Sequence, residues 1–96
     1  MIEYLYDVIR AVAGQDMSIT AKITEDDDKL ITENCELVIH FNDGDMKHYP
    51  GEYIVEIGEW LFTVPGEDTL GYQGKHWYCI QSNGNNLCFK TPLYLV

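Results

Sequence analysis

The sequence predicts an all-β protein: a sandwich of two antiparallel sheets built from about seven to eight short strands. Three observations predict it. Apolar residues recur at every second position in several short runs. Turn residues interrupt those runs at intervals of roughly 8–12 residues. With 96 residues, 46% of them hydrophobic, the chain has material for one core and one domain, residues 1–96.

Taken in order, Ile2 to Val12 is expected as a strand closed by Gly14. Its apolar spacing also suits a helix, but Tyr, Val and Ile fit a pleated surface better. Met17 to Thr24 alternates cleanly: Met17, Ile19, Ala21 and Ile23 point one way, Ser18, Thr20, Lys22 and Thr24 the other. Glu25 to Lys29 reads as a polar turn, and Leu30 to Asn34 as a short extension or edge strand. Cys35 to Asn42 is a strand with Cys35, Leu37, Ile39 and Phe41 on one face. Asp43-Gly44 is a strong hairpin signal, and Met46 to Tyr49 is the return. Tyr53 to Ile57 alternates with Tyr53, Val55 and Ile57 inward, and Gly58 marks a bulge or turn. Trp60 to Val64 is a strand stopped by Pro65-Gly66. Glu67 to Gly74 is a loop or at most one helical turn. Lys75 to Ser82 and Leu87 to Val96 form the last pair, with Pro92 expected at an edge or a bulge because proline donates no ladder bond.

The formal net charge of -10, from 16 acids and 6 Lys/Arg, disfavours nucleic acid and anionic membrane surfaces as partners. No run approaches the ~20 apolar residues of a membrane-spanning helix. The N-terminus carries Glu3 and Asp7 where a secretory signal is basic. The expectation is a soluble protein made in the cytoplasm.

No catalytic, metal or cofactor residues are expected. If Asn83-Gly84 forms a two-residue turn, Ser82 faces Asn85, Gln81 faces Asn86 and Cys79 faces Cys88. A four-residue loop would instead set Cys79 against Lys90. A cross-strand disulfide and a metal site are alternatives. Reduced cysteines packed as small hydrophobes are preferred, because Cys35 is a third cysteine and no C-x-x-C spacing exists. His40, His48 and His76 are scattered and read as surface or turn histidines. Asp26, Asp27 and Asp28 lack the glycine and glutamate spacing of a calcium loop.

Trp60, Tyr72, Trp77 and Tyr78 are the candidate interface or ligand-stacking residues. In the preferred division Trp60 and Phe62 face the core from one sheet and Trp77 from the other. The remaining aromatics serve a protein interface, or alternatively stack on a carbohydrate or other small ligand.

The stretch from Gly58 to Val96, with Trp60-x-Phe62-x-Val64-Pro65, then Gly74 before Trp77-Tyr78-x-Ile80 and a closing hydrophobic strand, resembles small immunoglobulin-like β-sandwich proteins of phages and prophages. These include N-terminal domains of upper-baseplate and other tail-associated proteins. Gly14 to Thr24 adds weaker support. The resemblance implies an immunoglobulin-like sandwich and a non-enzymatic structural or accessory role. That role works through association with phage proteins or with further copies of the chain. It implies no catalytic residues.

Overall fold

The structure is a computed structural model that describes residues 8–24, 31, 34–82, 85–86 and 90–96. Its strands are β1 (Ile9–Ala11), β2 (Met17–Ala21), β3 (Cys35–His40), β4 (Met46–Pro50), β5 (Glu52–Ile54), β6 (Glu59–Val64), β7 (Gly74–Ser82), β8 (Asn85–Asn86) and β9 (Thr91–Leu95), with one helical turn, α1 (Gly66–Thr69), before β7. The larger sheet runs β1-β9-β7-β3-β4, with β8 added to β7. The smaller runs β2-β6-β5. Every pairing is antiparallel except β1 with β9, which is parallel. The order β9-β7-β3-β4 facing β2-β6-β5 matches strands G-F-C-C′ and B-E-D of a variable-type immunoglobulin sandwich. The expected all-β, immunoglobulin-like architecture is therefore the observed one.

Alternation builds the interior. Leu37 and Ile39 from β3, Trp60, Phe62 and Val64 from β6, Tyr78 and Ile80 from β7, and Leu93 and Leu95 from β9 form one buried cluster between the sheets. Burying each large apolar side chain is worth about 1.5–3 kcal/mol, so these positions dominate the stability of the domain. In β2, Met17, Ile19 and Ala21 lean on this cluster while Ser18 and Thr20 face solvent.

The turns follow their residues. In the β3–β4 hairpin Gly44 N–H bonds to Phe41 O and Phe41 N–H to Asp45 O, and Gly44 takes φ 93°. This is a three-residue loop closed by a left-handed glycine. At Asn83-Gly84 the flanking register is Ser82 with Asn85 and Gln81 with Asn86, as a two-residue turn requires. Cys88 lies outside the described residues, so the pairing expected for Cys79 stops there. Gly51 carries the chain from β4 in one sheet to β5 in the other. A Cβ there would sit 2.5 Å from Phe62 Cε1 and 2.8 Å from Trp60 Cε3, so only glycine fits over these rings.

Four expectations are corrected. The alternation of Tyr53, Val55 and Ile57 does not continue as a strand. Both Ile57 N–H and Gly58 N–H bond back to Ile54 O, which curls the chain into a turn and leaves Val55 75% and Ile57 57% exposed. Of Leu30 to Asn34, expected as a short extension or edge strand, Ile31 and Asn34 are described and neither is in a strand: Asn34 has φ 59°, and Ile31 is tied to Ile23 and to Trp60 Nε1, while Leu30, Thr32 and Glu33 lie outside the described residues. Pro92 lies in a strand with neighbours on both sides, not at the sheet edge. It is tolerated because the β1 pairing begins only at Leu93, one residue later. Trp77 faces away from the core, as described below. Within Ile2 to Val12, the strand covers Ile9–Ala11; residues 2–7 lie outside the described region, as do Glu25 to Lys29.

Candidate functional site

The register of β7 against β3 decides which side chains reach the surface. Ile80 pairs with Leu37 and Tyr78 with Ile39, so His76, Tyr78 and Ile80 point inward. Lys75, Trp77, Cys79 and Gln81 then point out of the larger sheet. Trp77 is accordingly half-buried on the outer face rather than in the core, and Tyr78 takes the interior place. Trp60 is also an interior side chain: it stacks on Phe62 at 6.3 Å and donates its indole N–H to Ile31 O at 2.7 Å. Trp60 and Tyr78 thus offer no ring to a partner or ligand. Of the four candidate residues, Trp77 and Tyr72 remain at the surface.

Tyr72 lies at the β3–β4 hairpin end of the sandwich, where its ring packs on Phe41 at 4.2 Å and its hydroxyl donates to Asp43 Oδ2 at 3.0 Å. The hydrogen bond to Asp43 is the main reason the Tyr72 phenol holds its proton above the usual range. On the other partner, bonds from Asp45 N–H first and Tyr72 second keep the Asp43 carboxyl below the ordinary aspartate range. Behind them sits His76, 0% exposed. Its Nδ1 accepts from Asn42 N–H at 2.9 Å and its Nε2–H donates to Tyr72 O at 2.7 Å. A backbone N–H can only donate, which fixes the tautomer. The expectation of a surface or turn histidine fails here: His76 is an internal strut joining two loops.

His48 and His40 behave differently. His48 is exposed and meets Glu36 at 2.9 Å. His40 Nε2 lies 3.6 Å from Cys79 Sγ, and partial burial, then the charges of Lys90 and His48, lower its pKa. Cys79 is only 1% exposed. Cys35 is a free thiol, and burial pushes its pKa up despite a bond with Ser82. Among the described residues, no group of three or more His, Cys, Asp or Glu side chains is placed to hold a metal ion.

The outer face of the larger sheet carries the remaining feature. Cross-strand register puts Arg10 beside Tyr94, Tyr94 beside Lys75, and Trp77 between His40 and Pro92. Arg10 lies over the Tyr94 ring at 5.5 Å, and Lys75 over the Trp77 ring at 4.6 Å. Each such contact contributes about 0.5–1 kcal/mol at an exposed site and holds a cation flat on the sheet. Among the described strand residues of this face the one carboxylate is Glu36, already engaged by His48. The other described acids lie elsewhere: Asp43 and Asp45 on the hairpin, Asp16, Glu67 and Asp68 around α1, and Glu52, Glu56 and Glu59 along the smaller sheet. Among the described residues, this face thus groups two cations with aromatic rings, beside the buried pair Val38 and Cys79. Arg10, Lys75 and Tyr94 were not singled out in the sequence. The signal available was the alternation of Pro92 and Tyr94 with Leu93 and Leu95, which places the former pair outward.

No protein-family model matches this chain, and no curated protein matches it significantly.

Proposed function

We propose that this is a non-enzymatic phage or prophage structural or accessory protein that works by protein–protein association, docking through the outer face of the larger sheet. It is made in the host cytoplasm and assembled onto a carboxylate-bearing surface of another particle protein. The observation that carries the association reading is the pairing of Lys75 with Trp77 and of Arg10 with Tyr94 on one sheet face, in a chain of net charge -10. Aromatic residues and arginine are enriched at protein interfaces, and complementary charge sets register and on-rate. The phage context rests on the resemblance in Gly58 to Val96 and on the immunoglobulin-like layout. Stacking on a sugar or small ligand is less well supported, because the rings of Trp77, Tyr94 and Tyr72 are each already covered by Lys75, Arg10 and Phe41.

The test is particle composition. Mass spectrometry of gradient-purified particles from the producing strain should find the chain at a fixed copy number. Variants Lys75→Glu and Trp77→Ala should fold, by circular dichroism, yet fail to incorporate. Absence of the wild-type chain from particles and from assembly intermediates would refute the role.

A further inference from the structure

The edges of the two sheets are not equally protected. Edge strands of monomeric proteins are commonly blunted by charge, proline, bulges or shortness. β4 is blunted: Met46 N–H is taken by Asp45 Oδ1 at 3.0 Å, and Pro50 has no N–H. β5 and β1 are each 3 residues long, and β5 opens on Glu52. β2 has none of these devices. It runs 5 residues, Met-Ser-Ile-Thr-Ala, without a charge, a proline or a glycine. Among the described strands it pairs with β6 alone. Its inward side chains Met17, Ile19 and Ala21 touch the core yet stay only partly buried.

The sequence around β2 is also complementary to itself. Set two copies antiparallel with Ile19 facing Ile19. Met17 then faces Ala21 of the second copy, a large side chain against a small one. Ser18 faces Thr20, a hydroxyl pair. Asp16 faces Lys22, an opposite-charge pair made twice. Asp16, Ser18, Thr20 and Lys22 are all exposed, and their even spacing puts them on one face. Opposed charges and Ser/Thr pairs are the cross-strand combinations that stabilise antiparallel neighbours. Asp16 Oδ1 accepts from Gly66 N–H at 2.7 Å, which fixes where the carboxylate stands.

We propose that β2 is a dimerisation edge whose occupant is β2 of a second copy, paired antiparallel about a twofold axis at Ile19. The two smaller sheets become one, ordered β5-β6-β2-β2-β6-β5. The contact is isologous, so it closes at two copies and does not propagate into fibres. It leaves the outer face of the larger sheet free, and so stands or falls separately from the docking role above.

The test uses the full chain. Sedimentation equilibrium should show a monomer–dimer equilibrium. A mixture of ¹³C-labelled and unlabelled chains should give isotope-filtered NOEs between Ser18 and Thr20 of different copies. Thr20→Lys, which places a charge inside the edge, should give a monomer with an unchanged circular dichroism spectrum. Lys22→Glu, outside the strand, should weaken the dimer about tenfold by turning two attractions into repulsions. It tests the register even if Thr20→Lys disturbs folding. Trp77→Ala should leave the dimer intact. The proposal is overturned by a monomer at the highest soluble concentration, by intermolecular NOEs that map to another surface, or by intramolecular NOEs that show residues 2–7 of the same chain on β2.

Discussion

Replacing His76 with Phe isolates the strut at the hairpin end. The ring is fully buried and approaches Phe41 edge-on at 5.3 Å, so Phe keeps most of the volume and the aromatic contact. What it loses is polar: the acceptor for Asn42 N–H and the donor to Tyr72 O. A typical hydrogen bond nets about 0.5–1.5 kcal/mol, and a partner stranded away from water costs about 1–3 kcal/mol. Asn42 is exposed and Tyr72 half-buried, so each stranded group regains some water and the low end applies. Two such groups give about 2–3 kcal/mol. For a domain of this size that lowers the melting temperature by about 10–20 °C. Urea titration followed by tryptophan fluorescence should show a lower midpoint at unchanged m. Hydrogen exchange at the Asn42 amide should accelerate beyond the global change, since its acceptor is gone. His76→Gln, which retains an acceptor and a donor, should recover part of the loss. A His76→Phe variant within about 0.5 kcal/mol of wild type, with unchanged exchange at Asn42, would refute the strut.

Other outcomes follow from neighbouring geometry. Gly51→Ala should destabilise by about 1–3 kcal/mol in the same titration, because its Cβ meets the Phe62 and Trp60 rings; a neutral result would mean that the β4–β5 crossing can move away from them. Tyr49 is raised by burial first and then by its hydrogen bond to Asp68, so the folded state keeps a proton that the unfolded chain releases. Its contribution to stability is complete below about pH 10 and is lost as pH climbs above that value. Absorbance at alkaline pH should show Tyr49 ionising only with unfolding, and Tyr49→Phe should flatten this dependence. Cys35 should resist a thiol reagent in the native state and react in urea, read by peptide mass spectrometry; rapid native labelling would contradict its burial.

Much of the fold was legible because one face of most strands is wet. In β2 polar residues alternate with apolar ones, and the inward set is the one that packs. The Asp43-Gly44 dipeptide marks the β3–β4 hairpin, since its glycine takes the left-handed backbone that the loop requires. β7 was not legible in the same way. His76-Trp77-Tyr78-Cys79-Ile80 has no wet face, so period two states that neighbours oppose each other without saying which set is inside. Intrinsic hydrophobicity gives the wrong sign, with Trp outward and His inward. Pairing across the sheet, Ile39 with Tyr78 and Val38 with Cys79, settles it. Such long-range register is invisible in a single strand. The same holds for Tyr53 to Ile57, where two bonds to one carbonyl override the alternation.

The inversion at β7 also shapes the surface. Had Trp77 been inside, Lys75 would stand on the core side of the sheet beside Leu95 and Leu93, and its ammonium would have to be paired or neutralised there. With Trp77 outside, Lys75 shares its face and lies on its ring, and Tyr94 and Arg10 follow on the next two strands. The inward polar position falls to His76, which, unlike lysine, satisfies both of its polar atoms with one donor and one acceptor from the backbone. A single choice of register thus buries a self-contained imidazole and places two cations on rings at the surface. The described acids other than Glu36 lie off this face, so the two cations stand there without a facing carboxylate from the described strands. Charge separated in this way is the kind of asymmetry that would orient the docking proposed above.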